Sequence, residues 1–217
     1  MPIQHHPDIT TLMSCAAGSQ PEALAAVVAS HLALCAQCRA EVKKLEAIGG
    51  ALFETLPEAS LSSPAPLTEV RAREADGPPD LATGAAPAAA EIPYPLAARI
   101  GARFSAIRWR HIGPGLWYCP VPLSKGARGS LTLIKAGPGR ELPEHGHGGE
   151  ELTLLLEGSY TDVMGTFSRG DVADLDQEIE HRPVAHPEEG CICLVASETR
   201  ARFKGLIARM MQPLTGL

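Results

Sequence analysis

No stretch of the 217-residue chain holds the ~18 consecutive apolar residues that a membrane-spanning helix needs. Its first residues, MPIQHHPDITTLMSC, carry no basic segment ahead of an apolar one. A secretory signal is therefore not expected, and the chain reads as a cytoplasmic protein with no membrane partner. Basic charge is also short: 19 Lys and Arg face 25 Asp and Glu, a formal net charge of −6. A protein that grips the phosphate backbone wants the opposite balance, so direct nucleic-acid binding is not expected. Aromatic residues make up only 4% of the chain, and no internal repeat is visible. There are six cysteines. In a reducing compartment they serve as metal ligands, reactive thiols or buried small apolar groups more readily than as disulfides.

Hydrophobic content is 45% and charged content 20%, ordinary for a globular protein, and the length suits two domains. Composition changes sharply twice. Residues 1–56 read as helix. Asp8 is placed to cap a short helix that runs through Ala17 and is closed by Gly18. A second helix is expected from about Pro21 to Leu34, with proline in its first turn. A third should run from about Ala36 to Leu56, with Val42, Leu45, Ile48, Ala51, Leu52 and Leu56 at three- and four-residue spacing. Gly49 and Gly50 weaken its continuity. Residues 57–93 are rich in Pro, Ala, Ser and Gly; LTEVRARE within them has the composition of one more short helix, and Asp76–Pro93 reads as a flexible linker. From Tyr94 onward, short apolar runs alternate with turn residues: GSLTLIKAG, EELTLLLEGSY, GDVADL and GCICLVA. The expected fold is α + β in two domains, a small helical bundle followed by an all-β barrel or sandwich. The tail ARFKGLIARMMQPL would add a last strand or helix.

Within the helical part, HLALCAQC places His31 four residues before Cys35 and Cys35 three before Cys38. Residues at these spacings share one helix face. The three side chains therefore converge on one point, even if the chain turns between Leu34 and Ala36. A structural zinc ion wants four nitrogen or sulfur donors in a tetrahedron. The nearest source of a fourth is His6 or its neighbour His5. Metal bound there would staple a bundle whose own core is thin. Cys15 has no partner at ligand spacing.

The second constellation lies in GRELPEHGHGGEELTLLLEG, residues 139–158. His145, His147 and Glu151 share strand parity and so face one side. Glycines between and after the histidines let the backbone bend around a site. GDVADLDQEIEHRPVA supplies His181 as a fourth donor. Three imidazoles and a carboxylate suit zinc, iron, manganese or nickel. His186, His111 and Glu150 are weaker candidates. Cys191 and Cys193 share strand parity and so would face the barrel interior together, as buried core residues or as a redox pair.

The Gly139–Gly158 spacing and the later Gly170…His181 resemble the two cupin motifs. The second departs from the family pattern at Asp176 and Glu178, where a proline and a glycine are usual. The histidine pair near the start with HLALCAQCRAEV resembles the zinc-binding anti-sigma domain. A chain that joins the two, with AIGGALFE between them and EHRPVA…CICLVA near the end, resembles the ChrR-type anti-sigma factors over nearly its whole length. The resemblance implies a zinc-binding anti-sigma domain at 1–75, a linker at 76–93 and a cupin domain at 94–217. It implies zinc on His6, His31, Cys35 and Cys38, and zinc or another divalent metal on His145, His147, Glu151 and His181. It implies a non-enzymatic regulator that holds an extracytoplasmic-function-type sigma factor, one to one, away from RNA polymerase. Release would follow singlet oxygen or peroxide stress, sensed through the cupin. The family's fourth helix would fall in Ser60–Asp76, where Pro64 and Pro66 delay its start to about Leu67. The competing reading is a cupin metalloenzyme, a dioxygenase or isomerase with a helical appendage, which needs an open coordination position.

Overall fold

The structure is a computed structural model and describes residues 2–58, 90–142, 145–146, 149–175, 181–199 and 202–203. The chain opens with three helices, α1 (Ile9–Ala16), α2 (Glu22–Leu34) and α3 (Ala36–Glu54). Asp8 caps α1, its side chain accepting from the Thr10 amide. Cys35 is extended (φ −104°, ψ 107°) and separates α2 from α3, whose axes are bent by 119°. Gly49 and Gly50 lie inside α3, which runs through them. Among the described residues no single helix is long and apolar enough to cross a membrane. The expected LTEVRARE helix, most of the linker, the two departures in the second motif and most of the C-terminal tail lie outside the described residues.

A short helix α4 (Leu96–Ile100) and a 3-10 turn (Phe104–Ala106) lead into the strands. These are β1 (Arg110–Gly113), β2 (Leu116–Pro120), β3 (Ser130–Ala136), β4 (His145–Gly146), β5 (Glu151–Asp162), β6 (Gly165–Ser168), β7 (Val172–Leu175), β8 (Val184–Ala185), β9 (Cys191–Ser197) and β10 (Arg202–Phe203). The main sheet runs β1-β2-β3-β9-β5-β6, with β7 and β8 also paired to β5. β5 is long enough to serve two sheets. Its first half pairs with β9 and β7, and its second half with β6 and β8. The register shifts between Leu155 and Glu157. Just beyond, Gly158 (φ +66°) runs so close to Gly190 (φ +72°) that a Cβ on Gly158 would sit 2.0 Å from the Gly190 carbonyl oxygen. Only glycine fits there.

Strand parity separates two apolar faces. Leu131, Leu133, Leu152, Leu154, Leu156, Ile192 and Leu194 form the outer face and share one core with Leu24, Val27 and Val28 of α2. Leu155, Tyr160, Phe167, Leu175, Cys191 and Cys193 form the inner cluster of the barrel. Both faces are covered, which explains why LTLLLEG and CICLVA are nearly continuous apolar runs rather than alternating ones.

The helices and the barrel therefore pack as one body, with α2 against β3, β5 and β9. A flexible Pro-rich linker on its own suggests two parts with few contacts between them. Composition describes the connecting residues, not the surfaces they join. The end of that segment is itself packed: Ile92 is fully buried in the shared core, and the amides of Glu91 and Ile92 donate to the Ala102 carbonyl.

Leu154 sits at the centre of the shared face, fully buried and paired in register with Leu194. Leu154→Ala should cost about 2–5 kcal/mol. Urea unfolding of the whole chain should show this as a lower midpoint with an unchanged slope.

Candidate metal centres

His6 precedes α1, His31 lies in the last turn of α2, Cys35 separates the helices and Cys38 is in the first turn of α3. One ligand atom from each lies within 4.8 Å of the other three. The His6 Nδ1 is 3.5 Å from the Cys35 sulfur and 3.3 Å from that of Cys38. Zinc at ordinary bond lengths places tetrahedral nitrogen and sulfur ligands about 3.5 Å apart. The observed separations are therefore edges of such a tetrahedron.

The protonation of each donor follows from its surroundings. The His31 Nδ1 faces the Gly170 carbonyl at 2.8 Å. A carbonyl only accepts, so Nδ1 carries the proton and Nε2 presents its lone pair. That Nε2 is buried with no hydrogen-bond partner among the described residues. Burial, the largest influence, also lowers the His31 pKa and keeps the ring neutral, as a ligand must be. Burial pushes the Cys38 thiol up to about 12, helped by its hydrogen bond with Cys35. A cation in the site would reverse that shift, because a coordinating thiol loses its proton. Cys35 also caps α3, its sulfur accepting from the Cys38 amide at 3.4 Å. An orphaned imidazole nitrogen, two buried thiols and tetrahedral edges fit a metal ion.

The second constellation is only partly within the described residues. His145 contributes backbone to β4, and its side chain and His147 lie outside them. Glu151 is buried, and the Ser197 hydroxyl donates to its Oε2 at 2.6 Å. His181 is buried, with Nδ1 3.0 Å from Asp162 Oδ2. An imidazole tied at one nitrogen to a carboxylate has its ring orientation and tautomer fixed, as metal-binding histidines commonly do. Neither Ser197 nor Asp162 stood out in the sequence, because cross-strand register, not local spacing, brings them to these partners. Cys191 and Cys193 face the barrel interior with their sulfurs 3.9 Å apart. The hydrogen bond from Cys193 lowers the Cys191 pKa and raises that of Cys193. Tyr160 is buried beside them with no hydroxyl partner among the described residues, and burial, then the charges of Cys193 and Asp162, drives its pKa up.

Residues 97–200 match the ChrR cupin-like domain family. The anti-sigma-E factor ChrR of Cereibacter sphaeroides is 38% identical over 213 residues, which is 98% of each chain. This chain belongs to the ChrR family of anti-sigma factors. A crystal structure of Rhodobacter sphaeroides SigE in complex with the anti-sigma ChrR superposes with a TM-score of 0.73 at 38% identity. That match covers 90% of this chain and 99% of the other. KdgF from Halomonas sp. matches at 17% identity and a TM-score of 0.39, over 45% of this chain and 92% of its own. The ChrR-family likeness runs through both the helices and the barrel.

The geometry distinguishes the two neighbouring histidines. The His6 ring is in the donor group, whereas the His5 ring lies against Phe167 with centroids 4.3 Å apart. After zinc loading and dialysis, His6→Ala should lose about one equivalent of metal, since structural sites need four ligands. His5→Ala should keep the wild-type content. Atomic absorption on the two purified variants checks this.

Proposed function

We propose that this chain is a cytoplasmic anti-sigma factor that binds an extracytoplasmic-function-type sigma factor one to one and withholds it from RNA polymerase. The end-to-end kinship with the C. sphaeroides anti-sigma factor carries the reading. In this reading residues 1–75 are the inhibitory domain, stapled by zinc on His6, His31, Cys35 and Cys38. Residues 76–93 connect it to a cupin domain at 94–217. That cupin holds zinc or another divalent ion on His145, His147, Glu151 and His181, as a sensor and not as a centre of turnover.

An exposed apolar row supports the location of the partner surface. Ile48 and Leu52 lie four residues apart near the end of α3, Phe53 adjoins them, and Leu56 follows just past the helix. Leu52 is 64% exposed and Phe53 74%. Ile9 and Met13 of α1, which packs on α3, are exposed as well. A patch of this kind on a protein with a well-filled core marks a protein contact.

Two outcomes are expected. Leu52→Asp and Phe53→Asp should each weaken sigma binding about 30-fold or more, as at an interface hot spot. Both variants should fold and keep their metal. Pull-down against each extracytoplasmic-function-type sigma factor of the host, followed by calorimetry, measures the loss. Capture of no sigma factor by the wild-type chain would overturn the reading. Glu151→Ala should repress a sigma-dependent reporter at rest and fail to release it under singlet oxygen or peroxide. An effector shifts an equilibrium only by its preference for one state, and this variant removes the point of attack. Full induction in that variant would exclude the cupin as sensor.

A further inference from the structure

One short piece of the barrel, the turn from β6 to β7, bonds His31 directly and also anchors the residues that lead into His6. On one side, the Gly170 carbonyl accepts from His31 Nδ1 at 2.8 Å. On the other, the next residue, Asp171, is 1% exposed, and its Oδ1 accepts from the amides of Gln4 at 2.7 Å and His5 at 3.0 Å. The Val172 amide donates to the His5 carbonyl at 3.1 Å, so residues 4–5 lie along the start of β7, and His6 follows directly. The other carboxylate oxygen of Asp171 closes the turn. It accepts from the Ser168 amide at 2.8 Å and the Ser168 hydroxyl at 3.0 Å. Space is tight around the turn: a Cβ on Gly170 would come within 2.7 Å of Ile3. Phe167, the residue before Ser168, stacks on the His5 ring at 4.3 Å and on Tyr160 of the barrel interior at 5.1 Å.

We propose that the Ser168–Val172 turn is the outer shell of the His/Cys metal site, with Asp171 as the residue that positions His6 and His31. The inference rests on the reading of that group as a zinc site. In metal sites generally, the group bonded to the far nitrogen of a ligating histidine fixes its tautomer and orientation. Here that group is a cupin carbonyl, and the carboxylate beside it anchors the strand leading to the other histidine. The barrel thereby sets the affinity of a metal held by the helices. Any change in the barrel that displaces this turn is felt at two of the four donors together. The turn is the physical link such coupling would use, since it bonds His31 directly and the residues just before His6.

The test is cobalt(II) titration of the full-length, metal-stripped protein, followed by its ligand-field and thiolate charge-transfer bands. The Cys35→Ser variant should show a clearly weaker thiolate band than the wild type, because only the Cys38 sulfur is left in the group. Asp171→Ala should bind cobalt about 10- to 100-fold more weakly, the usual cost of removing an outer-shell partner. Its ligand-field bands should also shift, because the His6 donor is no longer held. A purely structural defect would lower the unfolding midpoint and leave those bands in place. Asp171→Asn keeps an oxygen for the Gln4 and His5 amides and should recover most of the affinity. Gln4→Pro removes one donated amide without touching the barrel and should weaken binding in the same direction, whether or not Asp171→Ala folds. Wild-type affinity and spectrum in Gln4→Pro, or in a folded Asp171→Ala, would overturn the proposal and leave the zinc reading intact. An unchanged thiolate band in Cys35→Ser would instead overturn the zinc reading.

Discussion

Burial of the outer sheet face beneath α2 is the constraint on which the rest of the molecule depends. The leucines of β3, β5 and β9 on that face share one core with Leu24, Val27 and Val28 of α2, which shield them from water. At roughly 25 cal/mol per Å² of apolar surface removed from water, this interface is a major source of cohesion. It also sets the position of His31, which is fully buried near the end of the same helix. Once α2 is seated, the only polar neighbour that His31 Nδ1 needs is the Gly170 carbonyl, and it lies at hydrogen-bonding distance.

The interface makes the molecule one body with two differently built ends. At one end, backbone pairing holds the strands in register, and the barrel interior carries Glu151, His181 and two thiols. At the other end, α3 buries only Cys38 and Val42 among its 19 residues. A helix seated by its first two turns leaves the apolar side chains of the remainder, Ile48, Leu52 and Phe53, exposed. The division of labour is then physical. The thinly packed end leaves apolar side chains exposed, and the well-packed end holds it in place through α2.

Much of this was legible in the sequence. The caps and spacing located α1, α2 and α3 to within two residues, because Asp8, Gly18 and the three- and four-residue apolar rhythm act locally. The apolar runs located β3, β5, β7 and β9 for the same reason. The His/Cys group was legible because three of its members sit within eight residues of one another. The docking of helices on barrel was not, since nothing in a nearly continuous apolar strand says which element covers its second face. Asp162, Ser197 and Asp171 escaped notice on similar grounds. Each meets its partner through strand register or through a contact more than a hundred residues away, and a short polar residue at a turn carries no mark of that. The linker misled in the same way, because Ile92 near its end is buried by residues distant in sequence.

The crossing of Gly158 and Gly190 has a consequence for the history of such a chain. A Cβ on Gly158 would meet the backbone of Gly190 at 2.0 Å, and one on Gly190 would meet the Ala136 carbonyl oxygen at 2.3 Å. Neither obstacle is a side chain, so no second substitution elsewhere can shrink it. Neutral drift works by pairs of changes in which one neighbour makes room for another, and here there is no neighbour left to trim. These two sites are closed to gradual exchange. Lineages can revise nearly everything around the barrel's bend, but these two glycines can be replaced only by rebuilding the bend itself.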